Sequence, residues 1–222
     1  MKRKTPNVTL RSAVAVAVVL LLLVADQFLK IYVKTHFLLG EMRSLGTDWA
    51  YLYFVENKGM AFGLDVVGGT VLLCCFRIVA VAFLIYTMTR IVRKRFPLSF
   101  VLLMSMILAG AAGNIFDNLF YGVFFTESTC YDVAFPVGWN EGYGTFFTGK
   151  VVDMFYFPII RTVYPDWIPV WGGQPFIFFS PIFNLADAAI SCGAICIILF
   201  FRHSLQRTFL MFDRKRLTAH RS

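Results

Sequence analysis

The sequence predicts an all-α polytopic membrane protein, a four-transmembrane-helix bundle with a small extracytoplasmic β-rich cradle or cap. Three observations predict it. Of the 222 residues, 58% are hydrophobic and only 15% charged, where a soluble domain carries about 25% charged residues. Four segments reach the roughly 20 apolar residues that a bilayer-spanning helix needs. Finally, 14 of the 21 basic residues fall in three segments that alternate with two aromatic-rich loops. The same figures exclude disorder, and five cysteines are too few for a disulfide-stapled mini-protein. A net charge of +8 would suit nucleic acid on a soluble basic face. On an apolar chain it marks topology and attraction to membrane lipids, so no nucleic-acid partner is expected.

The spans are expected at 12–32, 70–88, 98–116 and 182–201, in one integral membrane domain covering 1–222. The first follows Lys2, Arg3 and Lys4, as a signal peptide would. The apolar pattern resumes at Phe28, Leu29, Ile31 and Tyr32 without a convincing cleavage site, which favours an uncleaved span. Basic residues cluster before span one, between spans two and three (Arg90, Arg93, Lys94, Arg95) and after span four. Lys/Arg-rich segments stay cytoplasmic. Both termini are therefore expected in the cytoplasm, with loops 33–69 and 120–181 on the other side. Within those loops, Ala50 to Val55 and Gly149 to Phe157 have strand composition. The block from Phe124 to Thr148 reads as a long loop.

Polar residues inside or at the edge of a span are costly unless paired or functional. Five groups stand out, all at the outer ends of the spans. Asp26 and Lys30 are four apart and can pair on one helix face. Asn57 precedes Gly59, Ala61, Phe62 and Gly63, small residues that allow close backbone approach or simply a turn. Asn114, Asp117 and Asn118 share one helical face beside Gly110 and Gly113, as a site or as an interhelix polar network. Asp153 follows Gly149 and Lys150 among apolar residues. Asp187 stands one helical turn after Asn184, where the macrodipole alone would favour an acid. If Asp153 and Asp187 converge, one can stay ionised and take a proton from water while the other stays protonated and serves the leaving amine. That is aspartic peptidase chemistry. No cofactor or metal is expected, because His36, His203 and His220 are scattered and no Cys or His pair accompanies them. A transporter would also place Asp and Asn in spans, but deep in the bundle rather than at one edge.

These motifs, in this order and at one membrane edge, resemble those of the lipoprotein signal peptidase (signal peptidase II) family. The resemblance covers all four spans. It implies a bacterial inner-membrane aspartic endopeptidase that removes signal peptides from prolipoproteins, cutting just before a diacylglyceryl-modified cysteine. The cyclic peptide globomycin is the family's inhibitor. The catalytic pair falls on Asp153 and Asp187. Asn57, Gly59, Asn114, Asp117, Asn184 and Ala186 fall on binding or bracing positions, and Asp26 and Lys30 on supporting ones. The chain departs from the family pattern in three places. Asn118 stands where the family usually has Arg, and Arg77, the only charge within span two, is the expected substitute. About 26 residues, Val123 to Thr148, are inserted before the Asp153 motif. The stretch between the two aspartates is also longer, with Tyr164, Pro165, Trp167, Pro169, Trp171 and Pro175. Both additions are expected to extend the cap and to gate entry of lipid or peptide.

Overall fold

The structure is a computed structural model that describes residues 8–57 and 69–213. Gly59, Ala61, Phe62 and Gly63, with Lys2, Arg3 and Lys4 and the basic residues from Arg214 onward, lie outside the described residues. The elements run α1 (Val8–His36), β1 (Met42–Ser44), β2 (Tyr51–Asn57), α2 (Gly69–Arg93), α3 (Leu98–Phe124), β3 (Val151–Tyr156), β4 (Ile160–Val163), β5 (Pro175–Phe178), β6 (Ile182–Phe183), α4 (Leu185–Phe200) and α5 (Arg202–Leu210). Among the described residues, α1, α2 and α3 are long and apolar enough to cross a membrane. A fourth crossing exists if α4 and α5, bent by 95°, count as one span.

Two compact units divide the chain. One comprises Met1–Gln27, Leu72–Ile115 and Leu185–Ser222; the other comprises Phe28–Val71 and Phe116–Asn184. In the first, Ala15, Ile91, Phe96, Phe100, Val101 and Ile197 belong to one buried core. The turn from α2 to α3 ends α2 by accepting Phe96 N–H at Ile91 O and Arg95 N–H at Val92 O. Arg95 takes a φ of 53°, the left-handed stop that satisfies a helix's last carbonyls. Helices α3 and α4 pack through small residues. A side chain at Gly110 would strike the Ala186 carbonyl, and one at Gly193 would lie 3.0 Å from the Leu103 carbonyl. Close backbone approach of this kind is how helices associate where no hydrophobic driving force separates them from lipid.

The second unit holds a four-stranded sheet in the order β1-β2-β3-β6 and a separate β4-β5 pair. All pairings are antiparallel. The expected strands at 50–55 and 149–157 appear as β2 and β3, with Val55 opposite Asp153 and Asn57 opposite Val151. Alternate residues of a strand face opposite sides. Val152 and Met154 enter the core with Val33, Phe37, Phe54 and Tyr121, so Asp153 projects from the other face. The start expected for span four is different in the structure. Ile182 and Phe183 pair with Tyr156 and Phe155 as β6, because branched and aromatic residues gain from cross-strand contact. Helix α4 therefore begins at Leu185 and has 16 residues, about 24 Å at 1.5 Å per residue. The β4-β5 hairpin is an element whose pairing the sequence reading does not anticipate.

Candidate active site

Helix α4 opens with three residues that matter: Leu185, Ala186 and Asp187. The first amides of a helix have no partner within it. Here the Ala186 N–H donates to Oδ1 of Asp26 at 2.9 Å, a carboxylate brought by α1 and 2% exposed. Negative charge at a helix N-terminus is favourable, so Asp26 seats the start of α4. Gly113 makes room for it, since a Cβ there would stand 2.7 Å from Oδ2 of Asp26. Gln27 completes the contact, its Nε2 donating to Asp26 at 3.2 Å and to the Gly113 carbonyl at 3.4 Å. One residue beyond Gly113, Nδ2 of Asn114 donates to Oδ1 of Asp187 at 2.8 Å.

The second unit holds the other aspartate. Nδ2 of Asn184 donates to Oδ1 of Asp153 at 2.7 Å. Asn184 is fully buried and Asp153 is 6% exposed. Beneath the strand, Lys30 and Asp117 form an ion pair at 2.7 Å with both side chains at 0% exposure. Asp117 also accepts the Val152 N–H at 3.4 Å, so it grips the residue next to Asp153. Asn118 and Gly149 bind each other twice. Asn118 Nδ2 donates to the Gly149 carbonyl at 2.8 Å, and the Gly149 N–H donates to the Asn118 carbonyl at 2.9 Å. Any Cβ on Gly149 would overlap the Asp117 carbonyl. That glycine is therefore required for β3 to approach α3.

These contacts answer the sequence expectations one by one. The spacing of Asp26 and Lys30 suggests a pair on one helix; in the structure Asp26 reaches the distant Ala186 and Lys30 the distant Asp117. The face shared by Asn114, Asp117 and Asn118 serves three different partners. The cation at Asp117 is Lys30. Arg77 is half-buried on α2. Asn57 closes β2 opposite Val151. Ala186 is buried against the bare backbone of Gly110.

One cluster escapes the sequence reading. Lys34 pairs with Glu56, and Ser128 bonds both, at 2.8 Å each. Lys150 reaches Glu56 and Glu127 at 3.2 Å each. The signal was present: Asp26, Lys30 and Lys34 recur every four residues along one face of α1, and Glu56 adjoins Asn57. Burial works against the charge of Lys150, but Glu56 and Glu127 outweigh it and raise its pKa. Tyr143, whose hydroxyl accepts the Lys150 N–H at 2.7 Å, has its phenol pushed well above the ordinary range by burial.

An apolar multi-helix protein that holds two aspartates by asparagine side chains and contains a small antiparallel sheet has the makings of a membrane-embedded hydrolase. Comparison with known proteins agrees. Residues 18–202 match the family described as Signal peptidase (SPase) II. The lipoprotein signal peptidase of Porphyromonas gingivalis is 46% identical over 205 residues, 91% of this chain and 88% of that one. That of Amoebophilus asiaticus is 34% identical over 208 residues, 90% of this chain and 83% of the other. A bacterial membrane enzyme solved by the in meso method at 1.9 Å shares the fold, with a TM-score of 0.59 at 20% identity over 86% of this chain and 93% of that one. A second such structure, at 2.3 Å, has a TM-score of 0.57 at 19% identity over 91% and 93%. The chain belongs to the signal peptidase II family, and it is a membrane-embedded peptidase.

Proposed function

We propose that this peptidase removes signal peptides from diacylglyceryl-modified prolipoproteins, cutting just before the lipid-modified cysteine, with Asp153 and Asp187 as its catalytic aspartates. One observation carries the assignment. Each aspartate is held by an asparagine amide, and one of those asparagines, Asn184, stands three residues before the other aspartate. An amide N–H orients a carboxylate without competing for its proton. One carboxylate takes a proton from the attacking water. The other, protonated, polarises the scissile carbonyl and then protonates the leaving amine. No metal or cofactor enters this scheme.

The remaining residues support these two. Asn57, Gly59, Asn114, Asp117, Asn184 and Ala186 bind substrate or brace the site. Asp26 sets the first turn of α4, and Lys30 with Asp117 sets β3. Arg77 adds positive charge on α2. Unchanged activity and stability in Arg77→Met would remove it from the group. Residues 1–222 form one integral membrane domain in the bacterial inner membrane, with four spans, cytoplasmic termini and the aspartates at the extracytoplasmic edge. That edge lets two acyl chains stay in the bilayer while the peptide bond meets water, and globomycin would compete there.

The test uses the purified chain in detergent with a lipid-modified prolipoprotein. Asp153→Asn and Asp187→Asn are each expected to slow cleavage by at least about a hundredfold, the lower end of what proton transfer contributes. Cleavage persisting in either variant would sink the assignment of that residue.

A further inference from the structure

The stretch from Phe157 to Phe179 takes no part in the chemistry above, and its composition is unusual. It carries only two charged side chains, Arg161 and Asp166, among Trp, Tyr, Phe, Ile and Val. It is nevertheless an ordered hairpin. Strand β4 pairs with β5 from Ile160 opposite Phe178 to Val163 opposite Pro175. Tyr164 donates its N–H to Gln174 O and accepts the Gly173 N–H. The Tyr164 ring lies 5.0 Å from that of Phe176 and 6.3 Å from that of Trp171. Gly172 is needed in the loop, since a Cβ there would stand 2.7 Å from the Asp166 carbonyl.

Order does not bring burial. Trp167 is 80% exposed, Val170 84% and Trp171 55%, and all four residues of β4 are exposed. A lone two-stranded hairpin is marginal in water, and a contiguous apolar surface marks a contact site. Two features select the partner. First, Trp and Tyr with few charges is the composition of membrane–water interfaces, where amphipathic rings sit among headgroups. Arg161, half of the hairpin's charge, is already stacked over the Tyr51 ring at 5.1 Å, leaving little for an electrostatic protein partner. Second, only six residues separate Phe178 from Leu185, where the apolar helix α4 begins. At roughly 3.5 Å per residue the hairpin base cannot lie more than about 25 Å from that helix's start.

We propose that the β4-β5 hairpin is an interfacial anchor, with Trp167, Val170 and Trp171 inserted at the headgroup–acyl boundary of the leaflet that the peptidase site faces. The proposal rests on the topology given above for the peptidase. An anchor of this kind holds the cap at the depth where the lipid-modified cysteine emerges, so it serves the substrate's lipid end rather than the proton transfers.

The test uses the full chain in phosphatidylglycerol/phosphatidylethanolamine vesicles. Trp49→Phe and Trp139→Phe leave Trp167 and Trp171 as the remaining tryptophans. Lipids brominated near the upper part of the acyl chain are expected to quench more than half of the emission, and aqueous iodide less than a quarter. Strong iodide quenching without bromolipid quenching would overturn the anchor. So would protection from both quenchers, which would mean that protein, such as a second copy, covers the hairpin. Prolipoprotein cleavage measured on the same vesicles separates the two readings. Cleavage without lipid contact overturns the anchor alone, and lipid contact without cleavage counts against the peptidase assignment alone.

Discussion

Residues 124–150 and residues 158–179 both lengthen the segments around Asp153, yet they are held by opposite means. The first is wired inward. Phe125 bridges to Pro136, Tyr143 N–H bonds Phe125 O, Gly144 N–H bonds Gly122 O, and Ser128 and Lys150 close on the buried Glu56. The second shows its apolar side chains outward and bonds mainly to itself. The contrast teaches that extra length near a site can act through charge or through surface. The buried ionic cluster ties the first insertion to β2, whose next residue is Asn57. The hairpin meets β2 through the Arg161 guanidinium stacked over the Tyr51 ring, and its exposed apolar side chains depend on what surrounds the protein.

The comparison breaks most visibly at Glu56. Glu56→Ala leaves Lys34 buried without its counter-charge, and removing one partner of a buried pair costs about 3–5 kcal/mol. Thermal unfolding in detergent should show that loss. The double variant Lys34→Met, Glu56→Leu should recover most of it, because an apolar pair of similar volume can replace a buried ion pair. A Glu56→Ala protein as stable as wild type would mean that the insertion is held by something else. Gly142→Ala comes next. Its Cβ would overlap the Gly122 carbonyl and the Val123 backbone, and overpacking costs about 1–3 kcal/mol. Ser128→Ala should cost about 1 kcal/mol, the net worth of a hydrogen bond.

Alkaline pH sharpens the same contrast. Lys150 and Tyr143 both have pKa values raised in the folded state. The folded chain therefore binds more protons than the unfolded chain above about pH 10, and stability falls as pH rises through that range. Lys150→Met, Tyr143→Phe should flatten the melting temperature between pH 9 and 11. An unchanged slope would mean that these two groups do not govern it. The smallest effect belongs to the hairpin. Trp167→Gln, Trp171→Gln should change detergent stability by no more than about 0.5 kcal/mol, as surface substitutions do. A larger loss would show that the rings pack on protein.

Much of the site is legible in the order of the residues. Asn114, Asp117 and Asn118 follow helical spacing, and the two glycines beside them announce close packing. Strand composition locates β2 and β3 within two residues of where they lie. The hairpin is harder to find, because Pro165, Pro169 and Pro175 read as loop breakers while pairing between β4 and β5 depends on contacts across the intervening loop. The Lys34–Glu56–Ser128 cluster draws its members from α1, β2 and the first insertion, and no window of sequence contains all three.

By itself, the sequence determined the apolar helices, the asymmetry of basic charge and the presence of polar groups at one end of the spans. Hydropathy and helical period act over a turn or two, so a local reading captures them. Only the tertiary structure decided which donor meets which acid. Asn184 reaches Asp153 across 31 residues, Asn114 reaches Asp187 across 73, and Ala186 presents its amide to Asp26 across 160. Such partners are selected by burial. A carboxylate removed from water must find a donor, and the helix and strand ends that pack beside it determine which donor is there.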